Sequence, residues 1–327
     1  MVTAVKRLRP PILALAAIIG LCAAPWMPVV GWAEPNAAPS LLGWGDLLSR
    51  PLPLPTVRVP YGPLPDQFGE LWLPAGKGPF PVVVMVHGGC WRSTVAKLSI
   101  MNYVAEDLRA RGVAVWNLEY RGVDRPGGGY PGTFADVGMG ADALRGLARR
   151  YPLRLDHVTA LGHSAGGHLV FWLAARGRIA GTSPLRAARP LPITTAISLG
   201  GLPDLAAARA AGDAACGAAV IDSLVGPPTA SRPDVYADTS PAVMGSTAAR
   251  GVLINGEFDT LAPPSMGRAY VERLRPAGQR VRQTTIAGMG HVELITPGTA
   301  AWSAAIHAIL ATDQPVESGL LRSKPLQ

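Results

Sequence analysis

The chain has 327 residues, 48% of them hydrophobic and 16% charged, with a formal net charge of +8. That is apolar material for a full core, which excludes global disorder, and the scattered arginines form no stripe of the kind that tracks nucleic acid. Gly (38) and Pro (32) are frequent but aperiodic, which excludes collagen-like and solenoid architectures.

The amino terminus has the layout of an export signal. Lys6, Arg7 and Arg9 precede an apolar run from Ile12 to Ala24, and Pro25 ends it. Thirteen residues are too few to span a bilayer, which needs about 20. Gly31 and Ala33 suit the −3 and −1 positions of a cleavage site, so residues 1–33 read as a signal peptide, with a cut near Ala24 as the alternative. This predicts a periplasmic or secreted protein with no membrane attachment after cleavage. Cys22 follows Leu21, where lipid attachment needs a small residue.

Residues 34–55 are rich in Pro, Gly and Ala and read as a linker or loosely packed arm. The folded domain is expected over 56–311. Thr56–Tyr61 and Gln67–Leu73 read as two antiparallel strands around a Gly-Pro turn. Val82–Val86 is a continuous β-branched run, as in a strand covered on both faces. Leu98–Arg111 has helical spacing and ends at Gly112. Val113–Leu118 is a strand. Thr133–Arg150 is a helix, with Thr133 as its cap and Asp136 in its first turn. His157–Leu161 is a strand and Ala165–Arg176 a helix. Ile193–Leu199 and Val252–Asn255 are strands. Pro264–Leu274 is a helix, Val281–Ile286 a strand and Gly298–Leu310 a helix. The alternation predicts an α/β fold: a mostly parallel sheet of about eight strands with helices on both faces. Residues 202–244 break the rhythm and are expected to form a small cap. The tail, 312–327, is polar and expected to fray.

The segment Leu161-Gly162-His163-Ser164-Ala165-Gly166-Gly167-His168 contains G-x-S-x-G between a strand and a helix. That context marks a nucleophile elbow. The tight turn strains the serine backbone, and Gly162 and Gly166 leave room where a Cβ would collide. Ser164 then heads the helix, with the Ala165 amide and the helix dipole ready for an oxyanion. A serine hydroxyl needs a base, and the base an orienting carboxylate. Elbow motifs carry these in the order serine, acid, histidine. His291, in Gly288-Met289-Gly290-His291 after the strand 281–286, is the candidate base. His307 lies inside a helix and reads as structural. Asp259, in Gly256-Glu257-Phe258-Asp259, is the candidate acid, with Glu257 in reserve.

His87-Gly88-Gly89-Cys90-Trp91 directly follows the strand 82–86. Its amide at Gly89 or Cys90 is expected to complete the oxyanion hole with Ala165. His87, Gly88 and Trp91 are expected to support that loop, and His163 and His168 to pack around the elbow. No Cys/His cluster has metal-site spacing, and Gly127–Gly129 lacks the lysine of a phosphate loop, so neither metal nor cofactor is expected. The partner implied is a small-molecule ester.

HGGCW, Glu119-Tyr120-Arg121, GHSAGGHL and GMGH together resemble the esterase/lipase branch of the α/β-hydrolases, and within it the BD-FAE-like hydrolases (bacterial feruloyl-esterase-like), which include kynurenine formamidase-type enzymes. The likeness runs from about Phe68 to Leu310. It implies an α/β-hydrolase fold, a triad of Ser164, Asp259 and His291, an oxyanion hole from the HGG loop, and the family's Ser-Pro step at Ser240-Pro241. The implied reaction is carboxylic ester hydrolysis through an acyl-enzyme. The alternative on the same fold is an arylformamidase or small-peptide amidase. A catalytically dead binding protein would show a broken triad. Formamidase-type sequences often carry an aromatic residue where this chain has Cys90, which weakens a transfer of formamide specificity. It also suggests a bond from Cys90 to Cys216 in the cap, tying cap to active-site rim.

Overall fold

The computed structural model describes residues 40–311. The expected signal peptide, residues 34–39 of the arm, and the tail lie outside the described residues. One sheet of eight strands organises the described chain: β1 Val57–Pro60, β2 Phe68–Trp72, β3 Phe80–Val86, β4 Ala114–Leu118, β5 Leu153–His163, β6 Thr195–Leu199, β7 Arg250–Gly256 and β8 Val281–Ile286. Their spatial order is β1-β2-β4-β3-β5-β6-β7-β8. β1 and β2 pair antiparallel, as does β2 with β4, and all later pairings are parallel.

Strand β3 shows why both faces must be covered. Val82, Val84 and Val86 point into one core, and Val83 and Met85 into the other. Side chains alternate with a period of two, so a continuous apolar run supplies two faces at once. Nine helices among the described residues cover the sheet: α1 Trp44–Leu48, α2 Asn102–Ala110, α3 Gly132–Asp142, α4 Leu144–Leu147, α5 Ala165–Ala175, α6 Leu205–Ala210, α7 Ala218–Val225, α8 Pro264–Leu274 and α9 Ala300–Leu310. Leu47 of α1, Val104 and Leu108 of α2, and Trp302 and Ile306 of α9 fill one core. Phe134 of α3, Leu169 and Trp172 of α5, and Tyr270 of α8 fill the other. Helix α5 is apolar almost all round, as a helix enclosed between sheet and neighbours must be.

The register aligns the strand ends. Val86 of β3 lies beside Gly162 of β5, Leu199 of β6 beside Ile254 of β7, and Gly256 of β7 beside Ile286 of β8. The loops after β3, β5, β7 and β8 therefore emerge at one edge, where open parallel sheets place their sites.

Two expectations need correction. Residues 40–55 are not a loose linker. They carry α1, bury Leu47 completely, and are tied down where Asn102 Nδ2 donates to Pro53 O at 3.1 Å. The helix expected over 133–150 is split into α3 and α4, and its N-cap is Pro131 rather than Thr133. The Thr133 hydroxyl instead donates to Arg121 O and accepts from Gly129 N. Asp136 is not in the first turn. It is fully buried and accepts from Arg121 Nε, Arg121 Nη2 and Gln67 Nε2, each at 2.7 Å. A buried carboxylate is used here to close tertiary contacts, not to complement a helix dipole.

Between β6 and β7, α6 and α7 form the core of the expected cap. The Ser240 hydroxyl accepts from Leu205 N at 3.1 Å, so the Ser-Pro step pins the start of α6. Asp238 accepts from Tyr130 Oη, Ser183 Oγ and Arg232 Nε, which ties the end of the cap to the loop before α3.

Candidate active site

Ser164 lies between β5 and α5 with φ +53° and ψ −121°. Non-glycine residues rarely adopt positive φ, and the strain persists only where the surroundings over-determine it. Both flanking glycines do so. A Cβ on Gly162 would overlap the Gly166 carbonyl, and one on Gly166 would overlap the Val86 carbonyl. Ser164 N donates to Leu199 O at 2.8 Å, which locks the turn onto β6.

His291 follows β8 on the same edge. Its Nδ1 donates to Asp259 Oδ2 at 2.7 Å. Asp259 is fully enclosed at its side chain, and its other oxygen accepts from Leu261 N and Ala262 N at 3.0 and 2.9 Å. These contacts fix the carboxylate and leave one oxygen for the imidazole, which directs the proton on Nδ1 and the lone pair on Nε2. Glu257, held in reserve by sequence, is turned away: its Oε2 accepts from Gly288 N at 2.9 Å. His307 is exposed on α9, remote from this pair in role and element.

His163 couples the elbow to the turn that carries His291. Its ring centroid is 4.4 Å from that of His291, and its Nε2 donates to His291 O at 3.1 Å. Burial, with the His291 ring close by, holds its imidazole well below the usual pKa, so it packs as a neutral ring.

The loop after β3 turns sharply, with positive φ at Gly89 (105°), Cys90 (51°) and Trp91 (53°) in succession. Gly88 packs so tightly on the elbow that a Cβ there would approach Ser164 Cβ to 3.0 Å. Trp91 is fully buried, and its Nε1 donates to His168 Nδ1 at 3.3 Å, which anchors the loop to α5. His87 bridges Gly88 O through Nδ1 and Glu119 Oε1 through Nε2, at 2.6 and 2.9 Å, and stacks on Tyr120. Burial alone would lift the Glu119 carboxyl. The attraction and hydrogen bond of His87, the Leu98 amide and Lys97 outweigh it and hold the group below the usual carboxylate range.

His168 donates from Nε2 to Thr239 O at 2.8 Å, and burial pushes its pKa down to about 4. The unfolded chain binds this proton near the ordinary value of about 6.5. Between those values the unfolded state holds more protons, so stability falls as pH drops from about 6.5 towards 4, by about 3 kcal/mol from this group. His163 acts in the same direction. The melting temperature of a His168→Gln variant should therefore change less than that of the wild type between pH 7 and 4.5. Parallel curves would contradict this account.

Cys90 and Cys216 form a disulfide with a Cα–Cα distance of 5.4 Å, across 126 positions. It joins the loop after β3 to the turn between α6 and α7. A closed loop of that length is worth about 4–5 kcal/mol in the chain-entropy account. Replacing both cysteines by serine should lower the melting temperature by roughly 10 °C or more. A drop under about 2 °C would show that the link constrains little.

Sequence reasoning missed two residues. Gly200, at φ +53°, lies against the pair, since a Cβ there would meet Asp259 Oδ2 at 2.7 Å and His291 Nδ1 at 3.1 Å. Glu293 accepts from Gly290 N at 3.0 Å, steadying the turn that carries His291. The Leu199-Gly200-Gly201 step was the available signal for the first. Among the described residues, no group of three or more His, Cys, Asp or Glu could hold a metal ion, and no helix is long and apolar enough to cross a membrane.

This sheet order, with a strained serine elbow after β5 and an Asp–His pair from the loops after β7 and β8, defines an α/β-hydrolase. The chain belongs to the BD-FAE family, whose sequence profile matches residues 70–274. Solved structures of similar fold include a truncated carbohydrate esterase from gut microbiota, at TM-score 0.66 and 16% identity over 79% of this chain and 96% of that one. Esterase B from Lactobacillus rhamnosis (HN001) superposes at TM-score 0.67 and 20% identity, over 80% and 86%. Thermogutta terrifontis esterase 2 phosphoramylated by tabun superposes at 0.62 and 18%, over 82% and 96%. No curated protein matches the chain.

Proposed function

We propose that this chain hydrolyses carboxylic esters through an acyl-enzyme on Ser164. The observation that carries the reading is the strained Ser164 backbone, set on the edge where Asp259 holds His291. Similar folds in three proteins described as esterases support it.

In this reading His291 takes the Ser164 proton as the oxygen attacks the carbonyl carbon. The amides of Ala165 and of Gly89 or Cys90 hold the oxyanion, and among the described contacts none of the three donates elsewhere. Collapse breaks the bond to the alcohol, which leaves with the proton from His291. Water, deprotonated by the same imidazole, then attacks the acyl carbon, and the proton returns to Ser164. Asp259 keeps the imidazole in the required tautomer throughout. The test is labelling with a fluorophosphonate probe, followed by peptide mapping. A single adduct on Ser164 in protein that turns over p-nitrophenyl acetate is expected. Turnover with no adduct at Ser164 would sink the assignment.

We also infer export to an oxidising compartment, which the Cys90–Cys216 bond supports. Amino-terminal sequencing of protein recovered outside the cytoplasm tests this, with Glu34 expected first. Recovery of the intact amino terminus in the cytoplasm would count against it.

A further inference from the structure

Helix α1 places an aromatic side chain beside the proposed base. Trp44 packs edge-on against two imidazoles, 6.0 Å from the His163 ring and 6.4 Å from the His291 ring between centroids. The arm that carries it is fastened to the turn bearing His291. One carboxylate does this: Glu293 accepts from Leu42 N through Oε1 at 2.5 Å and from Gly290 N through Oε2 at 3.0 Å. Leu47, fully buried, roots the helix in the core below.

Despite these contacts Trp44 is 39% exposed, and Leu41 and Leu48 on the same arm are exposed too. An indole packed against the proposed base, with free surface left over, has a face to offer something besides the protein. The reaction says which part of an ester that is. The oxyanion amides face the carbonyl oxygen. The imidazole hands its proton to the departing alcohol oxygen, so the alcohol leaves along the histidine. The Trp44 indole, packed on the His291 ring and partly open to solvent, is in position to border that alcohol.

We propose that Trp44 is a specificity-determining residue for the leaving alcohol, its exposed indole forming a wall that selects esters of ring-bearing apolar alcohols over short alkyl ones. This rests on the ester hydrolysis proposed above. The competing role is that the indole only shields the Asp259–His291 pair from water, in which case its loss slows all esters alike.

Benzyl acetate and ethyl acetate separate the two roles. They share an acyl group and release alkoxides of similar basicity, so their ratio of kcat/KM reports contact with the alcohol. The wild type should favour benzyl acetate. In Trp44→Ala the benzyl-to-ethyl ratio should fall about tenfold, the scale of one aromatic contact. Trp44→Phe should restore most of it. Because Trp44 is partly exposed, both variants should melt within a few degrees of the wild type.

An unchanged ratio in Trp44→Ala, or a wild type without benzyl preference, overturns the assignment while leaving ester hydrolysis intact. A wild type that neither cleaves the two acetates nor takes the fluorophosphonate at Ser164 removes the esterase reading and this inference with it.

Discussion

Replacement of Ser164 by alanine should lower kcat/KM on p-nitrophenyl acetate by about 10⁵–10⁶-fold, close to the background set by binding and oxyanion contacts alone. The alanine should not unfold the protein. Positive φ is strained for alanine as for serine, and the turn is held by the Ser164 amide on Leu199 O and by the close-packed glycines, none of which needs the hydroxyl. Circular dichroism and the melting temperature should match the wild type. Residual turnover above about 1% would mean that another group carries the acyl transfer.

Asp259→Asn should cost about 10⁴-fold in kcat with little change in fold. An asparagine can keep its oxygen towards Leu261 N and Ala262 N, as Asp259 Oδ1 does. Its NH₂ group then faces His291 Nδ1, which can meet it only with a lone pair. The ring proton moves to Nε2, where the base should accept one, and the imidazole can no longer deprotonate Ser164. Glu257→Gln provides the contrast. That residue is exposed and bonds only Gly288 N among the described contacts, so its effect should stay within about threefold. Equal losses in the two variants would contradict the assignment of the acid.

The parts of the molecule that sequence made legible share a physical reason: their determinants are local. Val82–Val86 is β-branched throughout, so only a strand with two covered faces accommodates it. The elbow is legible because Gly162, Ser164 and Gly166 must recur at that spacing for a strand to turn into a helix around a strained residue. Pro264–Leu274 and Val281–Ile286 fall where periodicity and punctuation place them. What escaped is determined by distant groups. Helix α1 has five residues and no period to detect, and it forms because Leu47 joins the buried core that α2 and α9 also fill and Leu42 finds Glu293, some 250 positions away. Asp136 looks like a first-turn acid until Arg121 and Gln67 claim it. The break after α3 falls where Arg176 Nη1 and Trp116 Nε1 take the carbonyls of Gly138 and Gly140.

The anchored arm also decides how the protein should be built for study. The arm is bonded through Leu42 to the His291 turn, so an affinity tag or fusion partner joined just before it would be carried to the mouth of the site. It would then compete with substrate at the wall formed by Trp44. The other end of the domain is better placed. Leu310 shares a recess with Pro81 and Val113, at the starting ends of β3 and β4, across the length of those strands from the edge that carries Ser164. A fusion joined directly after Ala311 starts away from the Ser164 edge, and a difference in rate between the two tagged forms would itself measure how close the arm brings its cargo.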